Sequence, residues 1–148
     1  VLGHADGDGT IAIYRQPVRR HAQDTEIDVG AHDNLPRVDI LYSYAGSDGA
    51  AVNAFVKAGA KGIVAAGLAP GSCTKDEYAA LEKAQAAGGV VVQGSRAGSG
   101  RVIPGETMRL NGAVSADNLN PQKARILLMV ALTKTNDLEE LHRIFTTY

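Results

Sequence analysis

The stretch KGIVAAGLAPGS, residues 61–72, decides the predicted fold of this chain. Its apolar run, residues 63–66, ends abruptly in the loop 67–72, which holds two glycines and a proline. A short apolar run bounded by such residues is typical of a buried strand that ends in a loop. Helical patterns on both sides favour a parallel α/β sheet. Since ligands in such sheets bind beyond the carboxyl ends of the strands, this loop is the first candidate site.

Two strand–helix–strand units surround this stretch. Residues 37–44 alternate apolar side chains and predict a strand, expected to be central, and residues 50–58 predict an amphipathic helix. Thr74, followed three residues later by Glu77, predicts a capping box at the start of the next helix, and residues 90–92 predict a third strand. The predicted fold class is therefore α/β: a small flavodoxin-like or Rossmann-like parallel sheet flanked by helices.

The two ends of the chain complete this prediction. The turn pattern at residues 6–9 and the β-branched run at 10–14 predict an N-terminal hairpin, followed by a polar linker over residues 21–36. Asn120 before Pro121 predicts the start of a third helix, and an apolar stripe from Leu138 predicts a last one. Residues 97–111 form a long glycine-containing loop with a candidate short strand at 101–103.

Composition excludes several classes of function. The 148 residues carry a net charge of -1, so nothing indicates nucleic-acid binding. No run approaches the roughly 18 apolar residues of a membrane span, so we expect no membrane partner. Since the chain does not begin with Met, a processed or partial protein is an open alternative.

Several candidate chemistries find weak support. Neither nucleotide-binding glycine motif is present. Residues 6–9 resemble the start of a calcium loop, but Pro17 occupies the position of its bidentate Glu. The acids and histidines of residues 21–32 match no standard ligand spacing, so we expect a solvated linker, no metal and no cofactor. Cys73 is either a nucleophile at a helix N-terminus or, preferably, a small packing residue.

Two polar residues follow predicted strands. Ser72 lies just before a helix whose free N–H groups favour anions, so its hydroxyl is either a substrate-binding group or a turn residue. Glu106 is the only acid in the long loop and either pairs with a cationic ligand group or is solvated. Position alone leaves both alternatives open.

A resemblance to a known family bears on these alternatives. The most specific segments are LNPQKARILL at residues 119–128 and ALTKT at residues 131–135. Further matching segments are AGAKGIV at 58–64, Gly67, Gly71, Ser95-Arg96, PVRRH at 17–21 and the ending Ile144-Phe145 with Tyr148. The chain resembles, over essentially its whole length, the C-terminal domain of type II bacterial L-asparaginases and glutaminase-asparaginases.

The resemblance implies a hydrolase that converts L-asparagine, and to varying degrees L-glutamine, to the acid and ammonia. The family's threonine nucleophile and its Thr-Asp-Lys group belong to an N-terminal domain that this chain lacks, so no catalytic residue is assigned here. The segment Gly9-Thr10-Ile11-Ala12 is superficially similar to the nucleophile motif but lacks its paired glycines. We therefore expect this chain alone to be inactive.

The resemblance also implies an architecture. Ser72 and Glu106 are the implied substrate-binding residues, near the amino end of a substrate in a neighbouring subunit's site. Residues 1–36 are then a hairpin and linker from a missing N-terminal domain, and residues 37–148 are the C-terminal α/β domain. A homotetramer built as a dimer of dimers and a periplasmic or secreted location are further implications. The alternative is a non-enzymatic flavodoxin-like ligand-binding or assembly module.

Overall fold

A computed structural model describes residues 2–20, 25–105, 108 and 110–148. These residues form a four-stranded parallel sheet, a separate antiparallel hairpin and four α-helices, which confirms the predicted fold class. The strands are β1 Gly3–Ala5, β2 Ile11–Ile13, β3 Val38–Tyr42, β4 Gly62–Gly67, β5 Val90–Ser95 and β6 Val114–Ser115. The helices are α1 Ala50–Lys57, α2 Lys75–Ala86, α3 Pro121–Ala131 and α4 Leu138–Thr147.

The order of strands in the parallel sheet, β3-β4-β5-β6, follows their order in the chain. Val38 pairs with Gly62 and Gly62 pairs with Val90, so the three long strands start level with one another. The expectation that residues 37–44 form a central strand is wrong, because β3 is an edge strand of the described sheet. Val38 and Ile40 pack against one helical layer and Leu41 against the other, so the apolar residues of β3 reflect helices on both faces and not strands on both sides.

Two apolar clusters cover the two faces of the sheet. Helices α1 and α2 pack on one face, where Val52 and Leu81 are fully buried against Ile63 and Val91. Helices α3 and α4 pack on the other, where Leu128 and Phe145 are the corresponding buried side chains. Fully burying a side chain of this size stabilises a fold by about 1.5–3 kcal/mol, so both layers are strongly held.

The helix starts follow the predicted capping chemistry. The Thr74 hydroxyl accepts the Glu77 N–H at 3.2 Å, and the Glu77 carboxylate accepts the Thr74 N–H at 2.9 Å, which is the predicted capping box. Asn120 caps α3 by accepting the Lys123 N–H at 2.9 Å, with Pro121 in the first turn. These caps fix where the loops at the carboxyl edge of the sheet end.

The N-terminal hairpin differs from the parallel sheet in that its apolar side chains are exposed. The Asp8 carboxylate accepts the Thr10 N–H at 2.9 Å, so residues 6–9 form the predicted turn. Leu2, Ile11, Ile13 and Tyr14 are each more than half exposed, which leaves the hairpin without a core of its own. An apolar hairpin in water is marginal unless it packs against another element.

The connecting segment, residues 15–36, is anchored on the second helical layer. Ile27 is buried in the cluster formed by α3 and α4. The neighbouring Glu26 carboxylate accepts a hydrogen bond from Arg143 at 2.6 Å and another from Lys134. These two cations lower the pKa of Glu26 to about 2, and Arg143 makes the larger contribution. Glu26 is therefore an ion-pair anchor of this segment, whereas His21 and Asp24 lie outside the described residues.

Candidate functional site

The loop after β4 is a tight, backbone-bonded turn. The Leu68 N–H donates to the Ser72 carbonyl and the Ser72 N–H donates to the Leu68 carbonyl, both at 2.6 Å. Gly67 permits this close return of the chain, because a Cβ there would lie 2.4 Å from the Gly71 carbonyl group. Gly71 has a φ of +125°, a conformation that side chains rarely adopt. The sequence GLAPGS thus fixes one loop shape.

Ser72 is a half-buried residue at the end of this loop, where the chain returns to Leu68. Its backbone closes the loop, while its hydroxyl makes no hydrogen bond to any described residue. The capping role at the start of α2 belongs to Thr74 instead. A partly exposed hydroxyl beside a helix N-terminus is available to a polar ligand group.

Residues at the end of β5 form hydrogen bonds to the Ser72 loop. The Gln93 side-chain amide donates to the Gly71 carbonyl at 3.0 Å, and the Arg96 N–H donates to the Gly67 carbonyl at 2.8 Å. The Arg96 guanidinium also donates to the Ser43 carbonyl at 2.9 Å and lies 5.6 Å from the centre of the Tyr42 ring. The loops after β3, β4 and β5 are therefore joined to one another.

A buried carboxylate adds a second connection between two of these loops. Glu77, which is fully buried, accepts the hydroxyls of Ser43 at 2.6 Å and Ser47 at 2.7 Å in addition to the Thr74 N–H. Sequence reasoning predicted only the capping contact, since Ser43 and Ser47 are about thirty residues away in the chain. The capping-box pattern was the available signal, but it carries no information on distant partners.

Cys73 does not have the properties of an activated nucleophile. Its burial, followed by the nearby charge of Glu77, raises the pKa of the thiol to about 12. A thiol that stays protonated at neutral pH is a poor nucleophile. This favours the packing role that was preferred from the sequence.

Glu106 lies outside the described residues, whereas the stem of its loop, residues 101–105, is described. The candidate strand at 101–103 is reduced to a single antiparallel bridge between Val102 and Asp117. Asp117 also forms ion pairs with Arg101 of this stem and with Arg19 of the connecting segment. The stem and the Ser72 loop are adjacent, because a Cβ on Gly71 would lie 3.1 Å from a Val102 methyl.

A concavity of about 760 Å³ lies elsewhere, at the amino edge of the sheet. Gly59, Gly88 and Leu132, which follow the ends of α1, α2 and α3, contribute to its wall. Of the three cations in the wall, Arg37 is paired with Asp39 and Lys134 with Glu26, and Lys61 has no ion-pair partner among the described residues. The concavity therefore offers one unpaired cation, which is not enough to define a ligand.

Two classes of site find no support in the part of the chain that the structure describes. No group of three or more His, Cys, Asp or Glu side chains is placed to hold a metal ion there. None of the helices described is both long and apolar enough to cross a membrane.

The fold defines the class: a parallel α/β domain whose loops at the carboxyl edge are joined by hydrogen bonds among the described residues. Comparison with known proteins is more specific. Residues 37–145 match the sequence profile of the Glutaminase/Asparaginase C-terminal domain. The chain belongs to this family.

Curated relatives and a solved structure support the same family assignment. The chain is 42% identical to L-asparaginase 2 of Bacillus subtilis over 144 residues and 39% identical to the glutaminase-asparaginase of Pseudomonas fluorescens over 144 residues. Each match covers 95% of this chain but only 38% and 40% of the relative. The probable cytoplasmic L-asparaginase of Campylobacter jejuni superimposes with a TM-score of 0.87 at 40% identity, covering 99% of this chain and 48% of that one. The chain thus spans less than half the length of these proteins.

Proposed function

We propose that the chain is the C-terminal, subunit-interface domain of an amidohydrolase that hydrolyses L-asparagine, and also L-glutamine, to the acid and ammonia. The nucleophile would be a threonine of an N-terminal domain. The observation that carries this proposal is the continuous match to L-asparaginases and glutaminase-asparaginases over 95% of the chain. Such a reaction is acyl transfer by an activated hydroxyl with stabilisation of the oxyanion.

In this proposal the chain binds and orients the substrate. Ser72 supplies a hydroxyl that makes no hydrogen bond to a described residue, near the substrate's amino end and on a loop whose shape Gly67 and Gly71 fix. Glu106 supplies a carboxylate to the α-ammonium, which is a charge-assisted hydrogen bond. Both groups would select an α-amino acid without taking part in bond breaking.

The proposal assigns no nucleophile to this chain. The Thr10 N–H donates to Asp8 in the turn of the exposed hairpin, which supports a structural role for that residue. The 148-residue chain should therefore release no ammonia from asparagine. Measurable release by the purified chain would overturn this assignment.

We further propose that residues 1–36 are the hairpin and linker of the N-terminal domain, and that residues 37–148 are the C-terminal domain. The exposed apolar residues of the hairpin support this division, since they need a partner to bury them.

We also propose a homotetramer, a dimer of dimers, in which this domain completes a neighbour's site. A periplasmic or secreted location is proposed from the Haemophilus influenzae relative, named a probable periplasmic L-asparaginase.

Kinetics of the full-length protein test the substrate-binding roles. Glu106→Ala should raise KM for asparagine by roughly 10- to 100-fold, the loss expected for a hydrogen bond to a charged group. Ser72→Ala should raise KM less, because its hydroxyl is neutral. Ser99→Ala, an exposed serine on the neighbouring loop, is the matched control.

Each outcome separates the alternatives. Unchanged kinetics of Glu106→Ala or Ser72→Ala would remove that residue from the site. A full-length protein that releases no ammonia from asparagine or glutamine would favour a non-enzymatic ligand-binding or assembly module instead.

A further inference from the structure

Asp117 joins three separate segments just beyond the carboxyl end of β6. Its carboxylate accepts hydrogen bonds from Arg101 in the stem of the long loop and from Arg19 in the connecting segment. Its side chain is only 14% exposed, and of its two partners Arg19 is 30% exposed and Arg101 63%, so the Arg19 pair is the better shielded from water. Its φ of 52° lies in the left-handed region, which Asp and Asn tolerate better than most residues.

The backbone around Asp117 fixes the loop stem as well. The Val102 N–H donates to the Asp117 carbonyl at 3.0 Å. The Ser115 hydroxyl donates to the Val102 carbonyl and accepts the Asp117 N–H at 2.9 Å. Both polar groups of the Val102 backbone are therefore bonded to this short segment after β6.

Val102 connects this arrangement to the loop that carries Ser72. Its side chain is fully buried, and one of its methyl groups lies 3.1 Å from the position that a Cβ on Gly71 would occupy. A displacement of the stem would therefore press on, or withdraw support from, the residue that precedes Ser72.

Arg19 carries the connection in the other direction. Besides Asp117, its guanidinium donates to the Phe145 carbonyl near the end of α4, at 2.7 Å. Arg19 lies five residues after Tyr14 and directly after Val18, and both of these apolar residues are exposed. The position of the connecting segment is thus tied to both strand-end loops through one carboxylate.

We propose that Asp117 is a positioning residue that couples the connecting segment to the substrate-binding edge. This inference rests on the proposed function, since it assigns Asp117 to the alignment of an amino-acid site shared with the preceding domain. Asp117 touches no substrate in this scheme. It acts by holding the stem 101–105 and, through Val102, the Ser72 loop.

Asp117→Asn in the full-length protein tests the coupling. Asn keeps the size and the tolerance of a positive φ but removes the charge that both arginines bind. We expect KM for asparagine to rise roughly three- to tenfold, in the range of measured couplings between sites, while kcat changes less than about twofold. Faster hydrogen exchange is expected in residues 98–105 and 67–73, because the Val102 and Ser72 amides lose support.

The matched control is Glu26→Gln, which breaks the other ion-pair anchor of the connecting segment. It should lower the melting temperature while leaving KM and the exchange of residues 67–73 unchanged. An equal effect of Glu26→Gln on KM would overturn the specific role of Asp117.

Two further comparisons keep the proposal falsifiable. If Asp117→Asn fails to fold, Arg19→Gln and Arg101→Gln each remove one of the two ion pairs and should each raise KM. Unchanged KM and unchanged exchange in the soluble variants would overturn the coupling. If the wild-type protein has no amidase activity, the proposed function fails, while faster exchange in Asp117→Asn still supports the mechanical link and unchanged exchange refutes it.

Discussion

The two edges of the parallel sheet differ in shape and in charge. At the carboxyl edge, Arg96 and Glu77 join three loops through hydrogen bonds. The amino edge holds an open concavity of about 760 Å³. This concavity and the hydrogen-bonded loops lie on opposite sides of the sheet.

The helix directions explain the difference. Helices α1, α2 and α3 start at the carboxyl edge, where their free N–H groups give a positive potential, and end at the amino edge, where their carbonyls give a negative one. At the amino edge, Lys134 and Arg37 are paired with carboxylates. The proposed site therefore rests on the polar groups of a loop with a fixed shape, and not on the volume of a cavity.

The largest effect is expected from Glu77→Ala at the carboxyl edge. The substitution leaves the buried Ser43 and Ser47 hydroxyls and the Thr74 N–H without their acceptor, so we expect a loss of about 3 kcal/mol in unfolding free energy. Urea denaturation of both proteins measures this loss in unfolding free energy. Glu82→Ala, on the exposed side of the same helix, should stay within about 0.5 kcal/mol, and equal losses would contradict the tie between loops.

A pair of glycines compares the two edges directly. Gly67→Ala places a Cβ 2.4 Å from Gly71, so the Ser72 loop must shift, at a cost of about 2 kcal/mol and with a raised KM in the full-length protein. Gly88→Ala at the amino edge has open space around it and strains only its φ of +87°, costing about 1 kcal/mol without changing KM. A raised KM in Gly88→Ala would show that the amino edge also contributes to the site.

The acidic ion pairs beside the amino edge predict a pH dependence. Arg143, together with Lys134, lowers the pKa of Glu26 and of Glu140 to about 2, below the ordinary value of 4.5. Because these pKa values are depressed in the folded state, their stabilising contribution is complete above about pH 4.5 and is lost as the pH falls toward about 2. Glu26→Gln should therefore lower the melting temperature at pH 7, with the difference from wild type shrinking toward pH 2. A constant difference would refute this assignment.

The smallest effect concerns Cys73. Burial is the main cause of the raised thiol pKa, and the charge of Glu77 is a smaller one. Glu77→Gln should therefore lower the thiol pKa from about 12 but leave it above the ordinary value of 9.0. The pH dependence of iodoacetamide modification measures it. The control Glu82→Gln should leave the thiol pKa unchanged, and a pKa that does not respond to Glu77→Gln would show that burial alone sets it.

Local patterns predicted the elements well because their causes are local. The capping box of Thr74 and Glu77 and the start of α3 at Asn120-Pro121 depend on residues within one helical turn. The edge position of β3 was not predicted, because apolar side chains on both faces of a strand indicate covering helices and not the number of neighbouring strands.

The candidate site was predictable only in part. Ser72 was proposed from its place after a strand and from the family resemblance and stays a prediction, and the structure adds that Thr74 takes the capping role. The Asp117 contacts with Arg19 and Arg101 span 98 and 16 residues and involve a positive φ. No periodicity or short motif encodes contacts of that separation.

The sequential strand order has a consequence for the growing chain. Each strand pairs with the one synthesised just before it, so the sheet can extend at one edge without inserting a late strand between earlier ones. The face formed by Val38, Val64 and Val92 stays bare until α3 and α4, the last two elements, arrive. Ribosome-stalled or truncated chains that stop before Pro121 should therefore expose this apolar face, aggregate readily and depend on chaperones.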